Sequence, residues 1–209
     1  YTITATDPAG NSTTITNKGA CYAFSTTDIP TYFVEVFTTT GNPVDLTNSR
    51  LTFTPEPGNI DFYSACAEDA FAFSVDPAGG TPLSLATSNS ARVDLTGGAK
   101  VRLYGQEYSG FWVNATGNIS FTSADSNTIE SVDSHFAQPR ISAFWDGLNS
   151  GAGSVSWKQT ESAAVVTWQN VQDNFSPAGP MTFQVVMHFD GTIELVYLTN
   201  NGRDGLVGL

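Results

Sequence analysis

The chain has 209 residues, enough for one β domain with a short appendage, and 40% of them are hydrophobic, which excludes a disordered chain. The formal net charge is −12, and such a surface repels nucleic acid and anionic membranes. Charged residues make up only 13%, while Thr, Ser, Asn and Gly are abundant, a composition that favours strands and turns over helices.

The excess of acidic residues has two interpretations. Carboxylates can bind Ca²⁺, a hard cation that prefers several oxygen ligands, or they can serve only to keep the protein soluble. No apolar run is long enough to span a membrane, and the chain begins within a strand-like pattern without a signal peptide. We therefore expect a mature or excised fragment of a secreted protein, without membrane insertion.

The chain has two cysteines, Cys21 and Cys66. In an exported protein they predict one disulfide between the N-terminal segment and the domain, with a stabilisation of about 3 kcal/mol from loop entropy. Two unpaired thiols are the alternative, because two cysteines alone do not establish a pairing.

Residues 1–20 alternate like two short strands around the turn cluster DPAGN at residues 7–11. This stretch resembles the last hairpin of a hyalin-repeat module, an Ig-like extracellular domain that commonly ends in Y-x-A-x-D-x-x-G-N. The resemblance implies that residues 1–27 are the tail of a preceding module or a linker. We assign residues 28–209 to a β-sandwich binding domain. A simple N-terminal hairpin of the same domain is the alternative.

Alternating apolar residues predict strands at 32–37, 50–55, 60–64 and 91–95. Residues 64–75 fit either a short helix or a covering loop. Thr96-Gly97-Gly98 is a hairpin turn signal, which predicts that the strand at 91–95 turns back into the next one.

Residues 99–147 organise the rest of the chain, because three apolar runs alternate there with turn signals. The polar segment 122–139 is expected to cross one end of the sheets. The sandwich core is predicted to include Phe111, Val113, Ile119, Phe121, Ile141, Phe144 and Trp145.

Four further strands are predicted at 154–158, 163–168, 182–189 and 192–197, with a hairpin turn at Asp190-Gly191. Short strands separated by Gly, Asn and Pro turns predict an all-β fold. We expect an antiparallel, jelly-roll-like β-sandwich with an N-terminal β-hairpin or linker.

Five pieces of sequence resemble the nidogen-like extracellular domain and its bacterial relatives, and their order and spacing carry the resemblance. They are residues 113–121, 139–146, 166–171, 182–186 and 189–193. The resemblance implies an extracellular, non-catalytic adhesion or binding module of a bacterial modular protein. It supplies no catalytic residues.

Enzyme signatures are scarce, since the sequence has no H-E-x-x-H, G-x-S-x-G or P-loop motif. His188 is interpreted as a strand residue, and His135 lies in a polar loop where Asp133 could orient it. Glu130, Asp133 and Asp146 could supply the two carboxylates of a glycosidase, although acidic loops are common without catalysis.

Sugar binding needs flat aromatic rings for stacking and polar partners for hydroxyl groups. We therefore predict ligand-binding roles for Tyr104, Glu107, Tyr108 and Trp112, with Trp157 as a second choice. Core packing is the alternative for these aromatic residues.

A structural Ca²⁺ site is predicted at Asp146 and Asn149, which stand three residues apart beside glycines, joined by Asp125 or Asp133. Together these patterns favour a secreted, monomeric polysaccharide-binding module that acts beside other modules of its chain. The alternatives are a protein-adhesion or spacer module and a polysaccharide hydrolase or lyase.

Overall fold

The computed structural model describes residues 2–6, 12–16, 33–86, 88–175 and 179–209. Cys21 and the predicted domain boundary after residue 27 lie outside these ranges. The strands are β1 (Thr2–Thr6), β2 (Ser12–Thr16), β3 (Val34–Phe37), β4 (Ser49–Glu56), β5 (Asn59–Asp69), β6 (Thr81–Leu83), β7 (Ser90–Asp94), β8 (Val101–Leu103), β9 (Gln106–Tyr108), β10 (Gly110–Asn114), β11 (Asn118–Ser120), β12 (Arg140–Trp145), β13 (Leu148–Asn149), β14 (Ser154–Gln159), β15 (Ala163–Asp173), β16 (Pro180–His188), β17 (Ile193–Thr199) and β18 (Gly205–Gly208).

Helix is confined to two short pieces of the described chain, α1 (Val132–His135) and a 3₁₀ turn (Ser150–Ala152). Neither piece is long and apolar enough to cross a membrane. Strands β1 and β2 form the predicted N-terminal hairpin as a separate antiparallel sheet, in which Ile3 pairs with Ile15.

Two antiparallel sheets form the body of the domain. The smaller has the order β3–β18–β12–β11–β10–β7, and the larger has the order β5–β4–β17–β16–β15–β14–β6, with β13 added at the end of β15. Strands β14 to β17 are the four strands predicted within residues 154–197, and each pairs antiparallel with the next.

One hydrophobic cluster joins the inner faces of both sheets. Six of the seven predicted core residues are buried within it, and so is Trp168. Trp145 is also fully buried, but it lies outside this cluster, against Arg140 on the outer face of the smaller sheet, so its predicted place in the sandwich core was wrong. In the larger sheet the Trp168 and Phe183 rings stack with centroids 5.0 Å apart. The fold is therefore the all-β antiparallel sandwich that the sequence predicted.

Two local predictions were wrong. Residues 64–75 are neither helix nor loop at their start, because β5 continues to Asp69 and pairs along β4, with Phe53 opposite Ala65. The turn signal at residues 96–98 does not close a hairpin, since β7 pairs with β10 while β8 and β9 pair only with each other. In both places, pairing with a distant strand outweighs the local sequence signal.

The last strand, β18, was not predicted. Its sequence, Gly-Leu-Val-Gly, is too short and too rich in glycine to show alternation, yet it lies buried between β3 and β12. This strand completes the smaller sheet and brings residues just before it to one end of the sandwich.

The Tyr197 hydroxyl joins the two sheets, because it donates from β17 to the carbonyl of Ala143 in β12 and is fully buried. We expect Tyr197→Phe to lower the free energy of unfolding by about 1–2 kcal/mol, since the buried carbonyl loses its partner. Tyr63→Phe is the control, because the Tyr63 hydroxyl is half-exposed and its bonds are long, at 3.4 and 3.5 Å. Chemical denaturation measures both, and equal small effects would contradict this role for Tyr197.

Candidate functional site

The outer face of the smaller sheet is polar but not solvated. Side chains that alternate with the apolar core residues point outward and are at most 3% exposed: Asn114, Asn118, Ser120, Arg140 and Ser142. Residues 122–139, here called the cover segment, lie across them and supply hydrogen-bond partners. The Ser120 hydroxyl donates to the Ser123 carbonyl at 2.7 Å, and the Trp145 indole donates to the Asn127 carbonyl at 3.0 Å.

Arg140 is the central charge of this layer. Its guanidinium pairs with the carboxylate of Asp125 from the cover segment, donates to Asn118 Oδ1 at 2.9 Å, and lies 4.1 Å from the centre of the Trp145 ring. Burial lowers the pKa of Arg140, and the bond to Asp125 opposes that shift. Asp125, predicted as a metal ligand, thus directs its carboxylate to Arg140.

His135 anchors the other end of the cover segment. Its ring is 1% exposed, and Nδ1 lies 2.9 Å from the hydroxyl of Ser142. Asp133, which was expected to orient this ring, is exposed on α1. Burial lowers the pKa of His135 to about 4, and the Arg140 charge adds to the shift while the Leu209 backbone opposes it.

The hairpin of β8 and β9 presents an unusual turn. Leu103 pairs with Gln106, and both intervening residues have positive φ, 45° for Tyr104 and 72° for Gly105, as in a type I′ turn. Glycine adopts this conformation freely, whereas a tyrosine there is strained by about 1–2 kcal/mol. The turn places the Tyr104 ring edge-on to Tyr63, with centroids 5.2 Å apart, and its hydroxyl 3.2 Å from the Leu209 carbonyl.

A pocket of about 330 Å³, here called the tyrosine pocket, lies between this hairpin and the end of the cover segment. Tyr104 and Tyr108 line it together with Gln106, Phe136 and Gln138. Tyr108 is half-buried and packs on Phe121 with ring centroids 4.4 Å apart, and burial raises its pKa. The structure therefore brings two of the predicted ligand-binding residues into one cavity.

The other three predicted ligand-binding residues lie elsewhere. Glu107 points to the opposite face of β9, where Lys100 (2.7 Å) and Arg102 (2.8 Å) contact it and lower its pKa. Trp112 lies on the outer face of β10 beneath Arg92, and Trp157 packs against the core from β14. Alternation along each strand causes this separation.

A second pocket, here called the acidic pocket, has a volume of about 320 Å³ and lies at one end of the sandwich. Asp146, Asp173 and Asp204 line it, and an oxygen from each carboxylate lies within 4.8 Å of the others. Asp146 follows β12, Asp173 ends β15 and Asp204 precedes β18. Within the described residues this is the one group of three His, Cys, Asp or Glu side chains placed for a shared metal ion.

The turn after β12 brings the first two aspartates together. Leu148 of β13 pairs with Asp173, and the Asn174 amide donates to the Gly147 carbonyl at 2.9 Å. Burial raises the pKa of Asp146 to about 7; the Gly147 amide opposes this shift, while Asp173, Glu130 and Asp204 add to it. Burial also raises the pKa of Glu130, which lines the same pocket.

The structure thus changes the predicted set of metal ligands. Asp146 lies in the acidic pocket, but the two aspartates grouped with it are Asp173 and Asp204, neither of which the sequence singled out. Asp125 and Asp133 lie outside the group of three, and Asn149 does not line the pocket. Asp173 and Asp204 each lie at the end of a strand. This position indicates a shared metal site only once the order of the strands in the sheets is known.

The family described as NIDO related matches residues 63–209. This match covers more than half of the chain, so the chain belongs to the NIDO-related family, and the predicted nidogen relationship is confirmed at that level. The matched region contains the three aspartates and both tyrosines, whereas β3 and β4 join the sandwich from outside it. Comparisons with curated proteins and with solved structures found no match.

The Asp125–Arg140 pair yields a prediction on stability. Asp125→Asn would leave a buried guanidinium, 2% exposed, without its charge partner. We expect a loss of about 3 kcal/mol or more in the free energy of unfolding. Asp133→Asn removes an exposed carboxylate from the same segment and should cost less than about 0.5 kcal/mol. Urea denaturation compares the two variants, and similar losses would contradict the prediction.

His135 yields a prediction on pH. The folded pKa of about 4 lies below the ordinary value of 6.5, so between these values the unfolded chain binds a proton that the folded chain does not. The contribution of neutral His135 to the free energy of unfolding is therefore complete above pH 6.5. It falls by roughly 3 kcal/mol as the pH is lowered to about 4.

Imidazole NMR signals in a His188→Gln variant would report His135 alone, because the chain has two histidines. We expect the chemical shift of that signal to show a neutral ring until the pH falls to about 4. Titration near the ordinary histidine value would show that the ring is solvated.

Proposed function

We propose that this NIDO-related domain is an extracellular, non-catalytic module that binds polysaccharide, with a terminal sugar or short saccharide in the tyrosine pocket. The observation that supports this most is the combination of aromatic walls with polar groups that have no hydrogen-bond partner within the described part of the chain. Pockets for small ligands span about 300–1,000 Å³, and this one, at about 330 Å³, is at the lower end.

The polar groups suit the hydroxyl groups of a sugar. Among the described residues, neither the Tyr108 hydroxyl nor the Gln106 amide has a hydrogen-bond partner. Gln138 accepts three bonds through Oε1, from Thr122 and from the Ser123 amide and hydroxyl, and its amide nitrogen remains available as a donor. Tyr104 and Phe136 supply apolar ring surface for the C–H faces of a sugar.

The net charge bears on the class of polysaccharide. A formal charge of −12 disfavours strongly sulfated glycans, because the net charge of the domain repels them. Neutral polysaccharides are therefore the primary ligands in this proposal.

The cellular setting is part of the same proposal. Cys66 is disulfide-bonded, which is typical of proteins in oxidising compartments outside the cytosol. The N-terminal hairpin is in keeping with the tail of a hyalin repeat, and we place the domain in a secreted bacterial protein beside other modules. The domain acts there as an ancillary unit.

Protein adhesion is the second candidate function. Exposed Phe71, Ile129 and Phe175 are 72–76% accessible, and such side chains can contact a protein partner. Ile129 and Phe175 both border the acidic pocket rather than the tyrosine pocket. The two candidates therefore depend on different surfaces and can be separated by mutation.

Affinity electrophoresis on neutral polysaccharides, with and without Ca²⁺, tests the primary proposal. We expect Tyr108→Ala and Gln106→Ala to weaken binding at least tenfold, which corresponds to about 1.4 kcal/mol. Glu107→Gln is the matched control, because it lies between them in β9 but faces away, and it should bind like the wild type. Thermal unfolding confirms that each variant is folded.

Two outcomes would overturn the proposal. Wild-type protein that binds no polysaccharide in either condition would favour the adhesion module. Retention of full affinity in Tyr108→Ala and Gln106→Ala would show that the tyrosine pocket is not the site.

A further inference from the structure

We propose that Asp146, Asp173 and Asp204 bind a Ca²⁺ ion that fastens the two sheets together at one end of the sandwich. This site uses none of the residues of the tyrosine pocket. The proposal therefore goes beyond saccharide binding, and an experiment can contradict one proposal without contradicting the other.

The geometry fits a single ion. Ca²⁺ binds oxygen at about 2.3–2.6 Å, so two ligand oxygens on opposite sides of one ion lie roughly 4.8 Å apart. One carboxylate oxygen from each of the three aspartates lies within 4.8 Å of the other two, so one ion could contact all three residues. Their ligand set is purely oxygen, which suits Ca²⁺ rather than zinc.

A second observation points to a ligand at this place. Asp146 is 6% exposed, and its Oδ1 accepts the Gly147 amide at 2.6 Å. Its other oxygen, Oδ2, is buried without a hydrogen-bond partner among the described residues. A buried carboxylate oxygen without a partner is costly, and a cation in the acidic pocket would provide the missing interaction.

The pocket can complete the coordination shell. Ca²⁺ takes six to eight oxygens, and water supplies those that the protein does not. Glu130 of the cover segment lines the same pocket, as do Thr39 and Thr128. Arg203 also lines the pocket and supplies one positive charge. The ion and this guanidinium would together offset the negative charge of the three aspartates and Glu130.

The position of the aspartates explains what the ion does. Asp146 and Asp204 adjoin strands of the smaller sheet, β12 and β18, while Asp173 ends β15 of the larger sheet. One ion bound to all three would therefore connect the two layers of the sandwich, and it would hold the Glu130 part of the cover segment to the same point.

Calorimetric titration of the chelator-treated full chain with CaCl₂ tests the site. The titration should extend to about 10 mM, because extracellular Ca²⁺ modules bind at roughly 10⁻⁴–10⁻³ M. We expect one saturable site and a rise in Tm, while NaCl of equal ionic strength produces no comparable rise. Absence of saturable binding, or an equal effect of NaCl, would overturn the proposal.

The variants Asp173→Asn and Asp204→Asn sharpen the test. Each should weaken Ca²⁺ binding at least tenfold and abolish the Ca²⁺-dependent rise in Tm. Without Ca²⁺, Asp204→Asn should unfold at the same or a higher temperature than the wild type, because it removes repulsion between carboxylates. A merely structural aspartate would instead lower Tm in both conditions.

Asp133→Asn is the matched control, since it removes an exposed carboxylate of the originally predicted ligand set. It should bind Ca²⁺ like the wild type. Wild-type affinity in Asp173→Asn and Asp204→Asn, or loss of binding in Asp133→Asn, would overturn the proposed ligand set.

Discussion

The ion pair between Arg140 and Asp125 is the interaction on which the rest of the surface depends. It is buried beneath the cover segment and attaches that segment to the outer face of the smaller sheet. One end of the segment, from His135 to Gln138, lines the tyrosine pocket, and its middle, from Thr128 to Glu130, lines the acidic pocket. A single charged layer thus positions the walls of both cavities.

Burial of the Arg140 charge is unfavourable by itself, and the groups that surround the guanidinium offset this cost. Burying a guanidinium is unfavourable unless its charge and its hydrogen-bond donors are satisfied. Here Asp125, Asn118 and the face of Trp145 surround it, while the Arg140 Nε atom stays without a partner among the described residues. Such networks specify one arrangement of the covering chain more strongly than apolar packing would.

Local sequence patterns predicted most of the strands, but they did not predict every pair that the strands form. Alternation of Phe183, Val185 and Met187 marked a buried strand face, because side-chain direction follows from the strand itself. By contrast, the Ala-rich and acidic run around Cys66 has no strand signature, and only pairing with β4 makes it a strand. Strand order is a property of the whole fold, so short-range patterns do not reveal it.

The candidate sites show the same limit. Tyr104 and Tyr108 are close in sequence and flank one turn, so the sequence could place them together. Glu107 is equally close in sequence, but it points to the other face of the strand. The two-residue alternation of side chains along a strand could have predicted this. Asp146, Asp173 and Asp204 are distant in sequence, and they meet only because β13 pairs with β15 and β18 lies beside β12.

The two edges of the larger sheet have different characters. At one edge β6 spans three residues and contains Pro82, which has no amide hydrogen to offer a neighbouring chain. At the other, among the described strands, β5 extends for 11 residues and ends in Glu68 and Asp69, both exposed. Charged side chains on an edge strand disfavour pairing with a further chain, so these two residues protect this edge from growth by addition of another copy.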